Sequence, residues 1–164
     1  MIERGPEKTA ITLEVNGQNQ IVEIEPRRTL LDALRIDLGL TGAKQVCDMG
    51  NCGACTVLLD GMAVYSCLTL AVECAGKSIT TIEGLSQGGT LHPLQQAFVQ
   101  HDALQCGFCT PGQVLAAYAL LERNPHPSEA DVVAGMSGNL CRCGAYRGIV
   151  EAVLSVARNQ EPRV

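Results

Sequence analysis

Ile11, Leu13 and Val15 alternate with polar neighbours, the period-two pattern of a strand with one buried face. Asn16-Gly17 supplies a tight turn and the pattern returns from Ile21 to Ile24, which predicts a β-hairpin. Past Pro26 the period changes. Thr29 can cap a helix over 30–38 whose Leu30, Leu31, Leu34 and Leu38 share one face, with Gly39 as its stop. Thr56 to Leu59 and Met62 to Ser66 flank Asp60-Gly61 as a second hairpin, and Ser78 to Ile82 is expected as a short closing strand.

The pattern breaks at Glu83-Gly84-Leu85-Ser86-Gln87-Gly88-Gly89, where glycine and polar residues mark a linker. Beyond it the apolar spacing is helical. Pro93 opens one helix running to about His101, Thr110-Pro111 starts a second carrying Val114, Leu115, Tyr118 and Leu121, and Ser128 can cap a third. Ile149, Val150, Val153, Leu154 and Ala157 keep the spacing in a fourth. The fold class expected is therefore α+β: a β-grasp domain of the ferredoxin-like kind over 1–85, then a small helical bundle over 86–164 with a short C-terminal tail.

With two Phe, three Tyr and no Trp in 164 residues, both cores must be built from aliphatic side chains, and bound metal is expected to add stability. The formal charge of −5 offers no basic face for a phosphate backbone, which argues against nucleic acid as a partner. The apolar stretch 114–121 is too short to span a bilayer. The opening MIERGPEKTA has no apolar export region or twin arginine, so a cytoplasmic location is expected. An odd cysteine count without such a leader also disfavours a disulfide framework.

Eight of the nine cysteines form two quartets. Cys47, Cys52, Cys55 and Cys67 read C-x4-C-x2-C with a distant fourth member, the plant-type spacing for a [2Fe-2S] cluster. A zinc ribbon would pair C-x2-C with a second C-x2-C, whereas Cys67 stands alone. Cys106, Cys109, Cys141 and Cys143 pair C-x2-C with C-x-C, and on spacing alone zinc and iron fit them equally.

The surrounding residues carry a resemblance. C-D-M-G-N-C-G-A-C-T-V at 47–57, Q-C-G-F-C-T-P-G at 105–112 and G-N-L-C-R-C-G-A-Y at 138–146 resemble the small iron-sulfur subunit of the molybdenum hydroxylases, the xanthine oxidase family. The resemblance spans nearly the whole chain in the same order. It implies an outer [2Fe-2S] cluster on Cys47, Cys52, Cys55 and Cys67, and an inner one on Cys106, Cys109, Cys141 and Cys143. It also implies that Gln105 meets the pterin of a molybdenum cofactor held by a large partner subunit. The chain would then relay electrons from that site to a FAD-bearing subunit, a cytochrome or another acceptor, and turn over no substrate alone.

Gly144-Ala145-Tyr146 after the last cysteine, L-H-P-L-Q-Q-A-F at 91–98 and H-D-A-L-Q-C-G at 101–107 are similar to the bacterial aldehyde oxidoreductase branch, which implies an aldehyde substrate ahead of a purine or other N-heterocycle. Two other functions suit a chain with two cysteine quartets: a free two-cluster ferredoxin and a zinc-stabilised interaction module. No Gly-rich nucleotide loop is present, so flavin or molybdenum cofactors belong on partners. Cys74 is expected as a buried apolar side chain, and His92, His101 and His126 as surface or capping residues. Arg142 could offset thiolate charge or point to solvent.

Overall fold

The computed structural model describes residues 5, 7–86 and 88–159. Most of the segment MIERGP, the linker residue Gln87 and the tail from 160 lie outside the described residues.

β1 (Thr9–Val15) and β2 (Gln18–Ile24) form the first hairpin, paired antiparallel from Thr9–Ile24 to Val15–Gln18 around Asn16-Gly17, both in the left-handed region. Thr29 caps α1 (Leu30–Asp32) by accepting the Asp32 N–H at 3.1 Å. The helix then widens into a π-turn over Ala33–Asp37, where the sequence predicts a regular helix. The cause is local: Leu40 N–H takes the Leu34 carbonyl at 2.8 Å, and Leu38 N–H reaches back to Ala33 at 3.0 Å. β3 (Thr56–Leu59) and β4 (Met62–Tyr65) make the second hairpin. β5 (Ser78–Thr80) is shorter than expected, because Ile82 already belongs to α2 (Ile82–Leu85).

The five strands assemble in the order β2-β1-β5-β3-β4, with β5 parallel to β1 and antiparallel to β3. One face of this sheet packs Leu13, Val15, Val22, Ile24, Val57 and Ile79 against Leu30, Leu31 and Leu34.

The second half holds α3 (Pro93–Gln100), α4 (Thr110–Arg123), α5 (Glu129–Met136) and α6 (Tyr146–Asn159). His92 caps α3 through Nδ1, which accepts the Leu94 N–H at 3.2 Å, and Ser128 caps α5 in a box with Asp131. α4 begins at Thr110 with Cys109 as its cap residue, one position earlier than Thr110-Pro111 suggests. Leu94, Phe98, Leu115, Ile149 and Val153 centre the helical core.

The two halves meet at β3. Val57 and Leu59 face the first core while Leu58, also buried, faces the second together with Leu85. Every residue of β3 is buried, because α4 covers the sheet face that α1 leaves open. Among the described residues no helix is long and apolar enough to cross a membrane.

Candidate metal centres

The loop between the π-turn and β3 delivers Cys47, Cys52 and Cys55, and a 3-10 turn over Ser66–Leu68 at the end of β4 delivers Cys67. Ser66 is fully buried and fixes that turn, since its Oγ donates to the Cys55 carbonyl at 2.7 Å. The thiols associate two by two: Cys47 lies within hydrogen-bonding reach of Cys52, and Cys67 of Cys55.

The second quartet repeats this pairing. Cys106 and Cys109 sit in the loop before α4, Cys141 and Cys143 in the loop between α5 and α6. Cys143 Sγ and Cys106 Sγ are 3.4 Å apart, and Cys109 lies within hydrogen-bonding reach of Cys141. The structure thus brings together each set of four cysteines that the sequence singles out.

Backbone amides surround the sulfurs. The Asn51 N–H donates to Cys47 Sγ at 3.3 Å, and the Ala145 N–H to Cys141 Sγ at 3.4 Å. The N–H groups of Met49 and Asn51 lower the Cys47 thiol to about 7. Cys106 is lowered chiefly by the Phe108 N–H and then by Cys143. For Cys141, burial is the largest influence and opposes the thiolate, yet the Ala145 N–H and Cys109 together with further amides outweigh it. Burial pushes Cys67 up to about 11 and Cys109 up to about 12. Each site therefore combines a thiol eased towards its thiolate by backbone N–H groups with one whose burial opposes ionisation, an opposition that a bound cation would offset.

The chemistry of these donors fits a dinuclear iron group. Four thiols associated as two pairs offer two thiolates to each of two irons, with N–H donors aimed at the sulfurs. Among the described residues, no three His, Cys, Asp or Glu side chains close round a single ion. Thr110 adds a second sign at the Cys109 end: its Oγ1 is buried and lacks a hydrogen-bond partner.

A polar seam joins the sites. Tyr65 Oη donates to the Gly138 carbonyl at 2.7 Å, and Asn139 Nδ2 donates to the Gly53 carbonyl at 2.9 Å and to Thr56 Oγ1 at 3.1 Å. Gln113 Nε2 holds the Asn139 carbonyl at 2.8 Å. The loops touch so closely that a Cβ on Gly53, whose φ is +69°, would lie 2.5 Å from the Gly138 oxygen. Nothing local in the sequence marks Tyr65, Thr56, Gln113 or Asn139 for this seam. Asn139 stands inside the G-N-L-C-R-C segment, but the partners of its side chain lie more than eighty residues away.

Gln105 is exposed beside the exposed Cys106. Phe108, Leu140 and Tyr146, next to the second quartet in sequence, expose apolar surface, as do Val46, Met49 and Leu68 next to the first. Cys74 is buried with its thiol toward the Leu70 carbonyl at 3.5 Å, and burial raises its pKa. His101 ends α3, His126 is exposed, and Arg142 points into solvent.

Residues 13–78 match the family of 2Fe-2S iron-sulfur cluster binding domains, and residues 81–154 match the [2Fe-2S] binding domain family. The nicotine 6-hydroxylase small subunit of Paenarthrobacter nicotinovorans is 55% identical over 148 residues, covering 90% of this chain and 89% of that protein. The aldehyde oxidoreductase iron-sulfur-binding subunit PaoA of Escherichia coli O157:H7 is 47% identical over 167 residues, covering 93% of this chain and 73% of its own length. Among solved structures, quinoline 2-oxidoreductase from Pseudomonas putida 86 superposes with a TM-score of 0.88 at 49% identity, covering 94% of this chain and 99% of that one.

Proposed function

The chain belongs to the iron-sulfur subunits of the molybdenum hydroxylases, and from that premise we propose how its residues serve as an electron relay. The observation that carries the reading is the pairwise association of eight thiols into two sites joined by one polar seam. Cys47, Cys52, Cys55 and Cys67 hold the outer [2Fe-2S] group, and Cys106, Cys109, Cys141 and Cys143 the inner one. When bound, each group supplies a one-electron couple.

The chain's own part is positional and electrostatic. The N–H groups of Asn51 and Ala145 stabilise negative sulfur, while Ser66, Tyr65 and Asn139 hold the ligand loops in place. Gln105 offers its side-chain amide, both donor and acceptor, to the pterin of a molybdenum cofactor in a large partner subunit. The exposed apolar rim of Phe108, Leu140 and Tyr146 faces that subunit, and the rim of Val46, Met49 and Leu68 faces a FAD-bearing subunit, a cytochrome or another acceptor.

We assign residues 1–85 to the outer-cluster domain and 86–164 to the inner one, with Leu58 and Leu85 as the apolar seam between them. A reducing, cytoplasmic compartment is part of the same reading, since eight cysteines that serve as cluster ligands must stay out of disulfides.

For the substrate, the motifs around the second quartet favour an aldehyde, and the E. coli relative bears the aldehyde oxidoreductase name. An aromatic N-heterocycle is the second reading, favoured by the relatives named for nicotine and quinoline.

Purification from the native host with bound partners tests the assignment. Co-elution with a molybdenum protein, about four irons per chain and acid-labile sulfide are expected. A colourless zinc protein, or an isolated monomer, would overturn it. In the same complex, Gln105→Ala should keep both cluster spectra and slow their reduction by substrate. Trials with an aldehyde and an N-heterocycle then decide between the two substrates.

A further inference from the structure

Among the main-chain hydrogen bonds of the described residues, one joins the two cysteine loops: Leu140 N–H donates to the Cys52 carbonyl at 2.8 Å. Cys52 belongs to the first quartet, and Leu140 directly precedes Cys141 of the second. A thiol of one site is therefore linked to a thiol of the other by covalent bonds and a single hydrogen bond.

That bond is not held by Leu140 itself, whose side chain is exposed. It is set by the residue before. Asn139 is 6% exposed, and its amide spans the seam to the Gly53 carbonyl and Thr56 Oγ1. Its own carbonyl is pinned by Gln113, which is 1% exposed and rooted in α4. Gly53 follows Cys52 directly, so the clamp grips both loops one residue away from the Leu140–Cys52 bond. Thr56 Oγ1 closes it by donating to the same Gly53 carbonyl at 2.7 Å.

We propose that Asn139 is a positioning residue for electron exchange between the two sites, acting by holding the Leu140 N–H on the Cys52 carbonyl. This rests on the cluster assignment above. In each exchange one electron leaves the inner site and one arrives at the outer site; no bond forms or breaks and no proton moves. Buried and hydrogen-bonded to both loops, the clamp resists the small separations to which such exchange is sensitive.

The test uses the full chain in its native complex and compares wild type with Asn139→Ala, Thr56→Val and the control Ser137→Ala, an exposed position on the same loop outside the clamp. Three quantities are read: each cluster's spin-resonance signal, the spin–spin splitting when both are reduced, and the rate of electron equilibration after a reducing pulse.

Asn139→Ala should retain both signals, narrow the splitting and slow equilibration severalfold, since electron exchange weakens as the two sites move apart. Thr56→Val should do the same to a smaller degree, and decides the matter if Asn139→Ala fails to fold. Ser137→Ala should match wild type. Unchanged splitting and rate with both signals intact would overturn the role of Asn139. A wild-type chain lacking two cluster signals would overturn the cluster assignment itself, and this role with it.

Discussion

Tyr65 donates its phenolic hydrogen to the carbonyl oxygen of Gly138 across 2.7 Å, tying the last residue of β4 to the loop that carries Cys141 and Cys143. Burial, and then the negative charge of the four first-quartet cysteines, raises the Tyr65 pKa and so keeps the donor protonated.

Tyr65→Phe removes this donor and leaves a partly buried carbonyl without its partner. The expected cost is about 1 kcal/mol, since the ring still packs while the hydrogen bond is lost. Denaturant unfolding of the metal-loaded chain measures it, and both cluster spectra should persist.

Cys109→Ser separates the two sites. Cys109 is paired with Cys141 of the second quartet, so one cluster signal should vanish and the other keep its shape. Spin resonance and an iron content falling by about half check this. Loss of both signals in a chain that stays folded would contradict two independent quartets.

Thr110→Val conserves volume and deletes a buried hydroxyl that has no protein partner. Stability without metal should hold or rise, because an unpaired buried polar group is removed. If the hydroxyl serves a sulfur of the inner cluster, that cluster's reduction potential should fall while the other stays fixed, as hydrogen bonds to sulfur raise it. Two equal potentials in variant and wild type would exclude such a bond.

The pH dependence of the helical half should follow His92. Its Nδ1 accepts the Leu94 N–H, so the cap needs a neutral ring, and burial lowers its pKa below the usual 6.5. Between that lowered value and 6.5 the unfolded chain binds more protons than the folded one, so stability falls as pH falls through the window. His92→Asn keeps a capping side chain without the titration. It should flatten this part of the stability profile, while His92→Ala should cost about 1 kcal/mol at neutral pH.

The strands and most helices were legible because their signals are local. Asn16-Gly17 and Asp60-Gly61 fix hairpins by backbone conformation, and Thr29, His92 and Ser128 stand where helices begin. The π-turn after Asp32 was not legible, because it depends on which amide reaches the Leu34 carbonyl first. β3 was read as one arm of a hairpin, yet nothing in T-V-L-L says that both of its faces are covered.

The same division holds at the metal centres. Spacing selected eight cysteines, and neighbouring residues named the family, since ligand order and glycine placement are written along the chain. The partners that set one site against the other are scattered: Tyr65, Thr56, Gln113 and Asn139 meet across separations of 26 to 86 residues. Hydrogen bonds between residues so far apart leave no periodicity or spacing to read. The sequence by itself determined which thiols form each quartet and what group they suit. Only the tertiary structure decided how the quartets are joined, because the Leu140–Cys52 bond and the Asn139 clamp exist only once α4 has packed against β3.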